Sequence, residues 1–335
     1  MRADRISAAI SAALLTAGVV AAATSSAAAQ SAKAQGDYPD HPVTLIVPYA
    51  PGGVADVGMR LLGEKLSAGL HQQFVVENRP GAGGIAAARA AAAAAPDGYT
   101  LLMTGNNTAI AEALFKSLPY NVLTDFASVS TAAFFDILLV TRAGSPLRSV
   151  QDVIAAARAS PGKLNIGTIN PGSTQNLAAE LFTNSANIEA TIVPFRTSPD
   201  MAGAVIRGDI DLAFEFYAAV HGLLADGKLV AIASAGLTRP SYLPNVPTVM
   251  ESGLKNYEVT SWNGLSVPAG TPVAIVATLN RAVDDVIPSP DIQSKAAETG
   301  MTMRASTPEE MTARLKADIA KWGAVIEKAG IAKRD

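Results

Sequence analysis

The residues whose types and spacing could do chemistry sit in four short loops. They are Tyr-Ala-Pro-Gly-Gly-Val-Ala-Asp (49–56), Gly-Asn-Asn-Thr (105–108), Asn-Pro-Gly-Ser-Thr (170–174) and Phe-Arg-Thr-Ser (195–198). Each is rich in Gly, Ser, Thr or Asn, and most lie directly before a helical stretch. The first N–H groups of a helix have no partner in the helix and carry its positive dipole end, so such loops attract anions without a lysine. The candidate binding residues are therefore Tyr49, Pro51, Gly52, Gly53 and Asp56, then Asn106, Asn107 and Thr108. Further along they are Gly172, Ser173 and Thr174, then Arg196, Thr197 and Ser198.

Other chemistries leave weaker traces. No Gly-Lys-Ser/Thr follows Pro51-Gly52-Gly53, so the lysine and hydroxyl of a phosphate-binding loop are missing. Gly81-Ala82-Gly83-Gly84 resembles part of a dinucleotide fingerprint, but no acid follows the next strand to hold a ribose. Asp209 and Asp211 read as a turn before a strand more readily than as a metal pair. His41, His71 and His221 are scattered, and no Ser-His-Asp spacing emerges. No catalytic residue, metal or cofactor is expected. Asp56 either caps the first turn of its helix and fixes the glycine loop, or touches a ligand. Arg196, a fixed-charge fork before a helix, either meets the ligand or forms an ion pair. Trp262 packs at a hinge or contacts the cleft.

The elements that must position these loops alternate. Strands are expected at 43–49, 74–78, 99–105, 164–168, 190–195, 211–215 and 229–234, with helices between them. Ser149 and Ser198 read as N-caps, the latter followed by Pro199 at the first helical position. The β-α-β order predicts mostly parallel sheets flanked by helices, arranged as two α/β lobes. Amphipathic helices follow from about Leu265 and return to lobe one. The expected division is 38–140 with 263–335 for lobe one and 141–262 for lobe two. Hinges are expected near 139–143 and 260–265.

The chain has 335 residues, 49% hydrophobic and 16% charged, and no cysteine. That excludes disulfides, thiolate metal sites and a Cys nucleophile. Residues 1–29 read as a signal peptide: Arg2 and Arg5, a small apolar run, then Ala27-Ala28-Ala29. Cleavage there removes Arg2, Arg5 and Asp4, leaving 24 basic against 28 acidic groups. No basic run suits nucleic acid or an anionic membrane. An exported, periplasmic monomer is expected.

Three stretches carry a family likeness: Y-P-D-H-P-V-T-L-I-V-P-Y-A-P-G-G-V-A-D, V-V-E-N-R-P-G-A-G-G and A-P-D-G-Y-T-L-L-M. With S-P-G-K-L-N, G-D-I-D-L-A-F, L-P-N-V-P-T-V-M-E-S-G and S-W-N-G-L-S-V-P-A-G-T-P, they resemble the Bug/TctC family. These are the periplasmic substrate-binding proteins of tripartite tricarboxylate transporters. The likeness covers essentially all of 38–331. It implies a two-lobed flytrap of the type II periplasmic kind, without catalysis. Such a protein captures a small carboxylate (a di- or tricarboxylate, an aromatic acid or an amino acid) and delivers it to TctA/TctB-like permease subunits. It also implies a site built from the loops above and the strand end at Glu215 and Phe216. The second lobe departs from the common pattern at Pro194-Phe195-Arg196-Thr197, at Glu215 and at Asn176. Phe216 and Tyr217 either favour an aromatic ligand or pack in the core. A sensor module for a membrane histidine kinase, or an exported α/β hydrolase, are the competing readings.

Overall fold

The computed structural model describes residues 38–335, and the expected signal peptide lies outside them. Residues Pro42–Asp335 form one compact unit. Among the described residues no helix is long and apolar enough to cross a membrane.

A ten-stranded mixed sheet runs through this unit in the order β2-β1-β3-β9-β4-β7-β5-β6, with β10 and β8 also paired to β4. The strands are β1 (Val43–Val47), β2 (Phe74–Asn78), β3 (Thr100–Gly105), β4 (Phe126–Arg142) and β5 (Asn165–Ile169). They continue with β6 (Thr191–Phe195), β7 (Leu212–Phe216), β8 (Leu229–Ser234), β9 (Thr260–Pro268) and β10 (Met301–Met303). Parallel pairs form at both ends: β1 with β2 and β3, and β5 with β6 and β7. The middle is antiparallel, because β9 lies between β3 and β4, and β4 also pairs with β7 and β8.

The long β4 joins the two halves. Phe126 to Asp136 face β9, and Ile137 to Arg142 face β7 and β8. Its sequence, FASVSTAAFFDILLVTR, shows no alternation because nearly every residue is buried on both faces. It was not expected as a strand. The segments expected as hinges lie mostly in strand, with a register shift between Leu139 and Val140. Residues 139–142 end β4, and 260–265 pair with it, so the exchange of partners falls at Asp136–Ile137.

Helices connect the strands with identifiable stops and starts: α1 (Val54–Leu70), α2 (Ile85–Ala92), α3 (Asn106–Leu114), α4 (Val150–Ala159), α5 (Thr174–Ala186), α6 (Ser198–Arg207) and α7 (Tyr217–Ala225). Three more close the chain: α8 (Val273–Val286), α9 (Pro290–Glu298) and α10 (Pro308–Lys328). Ser149 caps α4 and Ser173 caps α5 through the amides of Asp152 and Asn176. The cap of α6 is Thr197, whose hydroxyl accepts from the Asp200 amide; Ser198 is the first helical residue, so the helix begins one position earlier than expected. Its side chain and Thr197's are both hydroxyls three or fewer residues from an acid, which is why sequence misplaced the cap. Thr307 and Glu310 form a reciprocal capping box on α10.

The C-terminal helix ties the halves from behind the site. Trp262 on β9 and Trp322 on α10 are both fully buried. Trp262 Nε1 donates to Asp318 Oδ2 at 2.6 Å, so it is a core residue rather than a cleft contact. The two inner faces of the sheet, including Leu102, Phe126, Leu212 and Phe214, share one apolar core with Trp262 and Trp322.

Candidate functional site

The β1–α1 turn is held rigid from below. Gly52 has φ +85°, a conformation that disfavours a Cβ, and its N–H donates to Asp56 Oδ2 at 2.8 Å. The same carboxylate accepts from Arg60 Nε at 3.0 Å and from Asn78 Nδ2 at 2.7 Å. Asn78 Nδ2 also reaches the Tyr49 carbonyl at 2.9 Å. Burial alone would raise the Asp56 pKa. The Arg60, Asn78 and Gly52 donors outweigh it and hold the carboxyl below its ordinary range. Asp56 is buried with its oxygens occupied and does not line the cavity described below; it fixes the loop.

The β5–α5 turn is built by the same device. Gly172, at φ +79°, donates its N–H to Asn176 Oδ1 at 2.9 Å, and Ser173 Oγ accepts from the Asn176 amide at 3.1 Å. A Cβ on Gly172 would lie 2.6 Å from Leu114 Cδ2, so this turn passes close against α3. At the start of α3, Gly105 N donates to Thr108 Oγ1 at 3.2 Å. Asn106 Nδ2 donates to Thr174 Oγ1 at 2.9 Å, and Asn106 Oδ1 accepts from Trp322 Nε1 at 2.7 Å.

These turns open onto one cavity of about 940 Å³. Tyr49, Pro51, Gly52, Gly53, Asn107, Gly172, Ser173, Thr174 and Phe216 line it. Asp56, Asn106, Thr108, Arg196, Thr197, Ser198 and Glu215 do not. The first, second, third and last of these seven are bonded behind the lining. Arg196 is exposed and forms no ion pair among the described residues. Thr197 is committed to Asp200.

The donors available to a guest differ from the glycines that marked the loops. The Gly52 and Gly172 amides are consumed internally, which leaves those of Gly53, Val54 and Ala55 on α1 and of Thr174 and Gln175 on α5. Asn263 on β9 adds a side chain: it is buried, lines the cavity, and its Nδ2 has no hydrogen-bond partner among the described residues. Such an orphaned donor costs about 1–3 kcal/mol unless a guest satisfies it. Its register partner is Gly105, which places it beside the start of α3.

The opposite character comes from α3. Ile110, Ala111, Leu114 and the following Phe115 form an apolar wall, with Phe135 and Phe216 meeting edge to face at 6.4 Å. Phe216 thus lines the site, whereas Tyr217 stacks on Tyr242 and His221 outside it. Glu215 stands behind the wall. Its Oε1 accepts from Gln175 Nε2 at 2.9 Å and from the Phe216 amide at 2.7 Å, and its Oε2 has no hydrogen-bond partner among the described residues. Burial pushes its pKa up, against the smaller opposing pull of nearby Ser198, Gln175 and the Phe216 amide.

Sequence reasoning missed Gln175, Asn263, Phe135, the α3 face and Arg334. The i, i+4 spacing of Ile110 and Leu114 reads as ordinary core, and nothing local marks Arg334, which the last residues bring in. Asn263 lay in the Trp-Asn-Gly motif, whose tryptophan drew the attention. A second depression of similar volume, about 900 Å³, lies between α8 and α10. Charges of both signs line it, including Arg281, Asp284, Glu309 and Lys316, and none of the glycine turns reaches it. Among the described residues no cluster of three acids or histidines could hold a metal. Asp209 and Asp211 are engaged instead with Arg207 and the Asn165 amide.

Two sheet halves joined through β4, with helix N-termini opening on a cavity, make the fold of a periplasmic binding protein. Residues 59–331 match the family described as tripartite tricarboxylate transporter family receptor, TctC, and the chain belongs to that family. It is 33% identical to protein BugT of Bordetella pertussis over 299 residues, 88% of this chain and 90% of that one. Among solved structures it resembles Rhodopseudomonas palustris Rpa4515 with adipate, at TM-score 0.75 and 34% identity, covering 88% of this chain and 99% of that one. It also resembles the periplasmic binding protein BugD, at TM-score 0.72 and 26% identity, covering 89% and 100%.

Proposed function

We propose that this protein captures a small carboxylate in the cavity between its two sheet halves, in the periplasm, and delivers it to the membrane subunits of a tripartite tricarboxylate-type permease. The observation that carries the reading is the convergence of unpaired donors from both halves. The first-turn amides of α1 and α5, with Asn263 Nδ2, open on one space whose lining holds a single charged side chain. Aligned amides bind a carboxylate well where water is excluded. The adipate bound by the relative Rpa4515 and the receptor description of the family support the same chemistry. No catalytic role is assigned.

The two halves act as lobes in this reading, divided near residues 140 and 262, with β4 and β9 as the crossing strands. A thermal-shift screen of the protein against di- and tricarboxylates, aromatic acids and amino acids tests it. A ligand at about a hundred times its Kd adds about 2.7 kcal/mol to stability. A flat response to every carboxylate would sink the reading, and turnover of an ester or amide would replace it with an enzyme.

A further inference from the structure

Among the described lining residues Arg334 is the single ionisable cation or anion with a fixed charge. It arrives from the far end of the chain. After α10 the tail turns back along α3: Arg334 N donates to the Leu114 carbonyl and Lys116 N to the Arg334 carbonyl, both at 2.9 Å. Lys116 Nζ and Asp335 Oδ1 add an ion pair at 2.7 Å. The backbone of Arg334 is thereby fixed, and its guanidinium reaches across to the β5–α5 turn, where Nη2 donates to the Pro171 carbonyl at 2.5 Å. A guanidinium has five N–H donors, so this neutral acceptor leaves most of them, and the whole charge, uncommitted. No acidic side chain pairs with it among the described residues.

The length of α3 separates this cation from the donors at the start of that helix, while the β5–α5 turn that Arg334 touches carries the Thr174 and Gln175 amides itself. At the N-terminal end, Asn106 binds Thr174, Asn263 pairs with Gly105, and Gly84 lies against both Asn107 and Pro48, the latter at the start of the β1–α1 turn. At the C-terminal end, Leu114 abuts Gly172, and Arg334 is pinned to Leu114 and Lys116. From Asn107 to Phe115 the helix rises about 12 Å, and the face between is Ile110, Ala111 and Leu114. The cavity thus offers donors, an apolar wall, and then a cation.

We propose that Arg334 is a specificity-determining residue that selects ligands with a second acidic group, separated from the first by an apolar segment. The first acid rests on Asn263 Nδ2 and the α1 amides, and the second meets the guanidinium beside the β5–α5 turn. This inference rests on the carboxylate reading above. Arg334 is exposed, so it favours the diacid without burying a bare charge when the site is empty.

The test is calorimetric titration of the wild-type protein, Arg334→Met and Arg334→Lys with succinate, adipate, suberate and sebacate, and with straight-chain monoacids of matching length. Unliganded thermal unfolding of each variant confirms that the fold is intact. In the wild type, a diacid is expected to bind about tenfold or more tightly than its monoacid. Arg334→Met should bring that ratio close to one, and Arg334→Lys should keep part of it. A purely structural strap between α3 and the Pro171 turn would weaken both ligand classes equally, leaving the ratio unchanged, and that result overturns the proposal. Equal binding of monoacids and diacids by the wild type overturns it too, while the carboxylate reading survives. Failure to bind any carboxylate removes both.

Discussion

Trp322 Nε1 on the C-terminal helix donates to Asn106 Oδ1 at 2.7 Å, and the same amide turns its Nδ2 to Thr174 Oγ1 at 2.9 Å. One buried side chain therefore connects the rear of the molecule, the start of α3 and the start of α5. Replacing Trp322 by Phe keeps most of the packing but strands Asn106 Oδ1, a buried acceptor, at a cost of about 1–3 kcal/mol. Thermal unfolding of Trp322→Phe should show that loss. Ligand affinity should fall with it, because Thr174 loses its fixed partner. A variant as stable as the wild type, with unchanged affinity, would mean that Asn106 is oriented by something other than the indole.

Asn263 makes the opposite prediction. Its Nδ2 is buried without a partner, so the amide is a burden on the empty protein and an asset to the occupied one. Asn263→Leu, which keeps the branching and number of heavy atoms, should leave unliganded stability equal or slightly higher. It should weaken carboxylate binding by about tenfold, the worth of one charge-assisted bond. Calorimetry and thermal unfolding on the same samples separate the two effects. If stability drops and affinity does not, the side chain is structural.

The contrast between these residues and the glycines shows which parts of the site were legible. Gly52, Gly53, Gly172 and Ser173 announced themselves because a strand, a left-handed turn and a helix start leave a local signature. The strands β1, β2 and β8 and the helices that follow the turns are equally local, and their expected ranges match closely. The signature could not tell which amides remain free: Asp56 and Asn176 take the Gly52 and Gly172 N–H groups, and only the fold reveals that the following residues are the donors. Asn263 and Arg334 reach the cavity through pairings with partners about 158 and 220 residues away, which no local pattern encodes. β4 was invisible for a different reason, since burial on both faces erases the alternation by which a strand is read.

Asp56 links the glycine turn to pH. Its carboxyl is held below the ordinary range by Arg60, Asn78 and the Gly52 amide despite its burial. The folded state thus binds the proton less readily than the unfolded chain. The stability it contributes is complete above the ordinary carboxylate value and is lost as pH falls through that value toward the lower folded one. Asp56→Asn should cost stability at neutral pH, and the difference from wild type should shrink as the solution is acidified. It should also loosen the turn and weaken ligand binding. A stability deficit that does not change with pH would assign the effect to packing alone.

Asp136 runs the other way, at the point where β4 exchanges partners. Burial pushes its carboxyl up to about 6, nearby Glu258 adds to the rise, and a bond to Thr260 opposes it. Here the folded state holds the proton more tightly than the unfolded chain. The contribution of this group to stability is greatest below the ordinary aspartate value, near 3.8, and falls as pH rises toward about 6, after which it stays low. That rise in pKa corresponds to at most about 3 kcal/mol. Asp136→Asn carries no charge to bury, so it should be more stable than wild type at pH 7 and indistinguishable from it near pH 3. Thermal unfolding across that range checks the sign. Equal stability at pH 7 would show that water reaches the carboxyl at the crossing and that the junction does not bury a charge. A stabilised variant would instead identify the crossing as a place where the protein tolerates a cost, and ligand titration of Asp136→Asn would then show whether that cost is tied to binding.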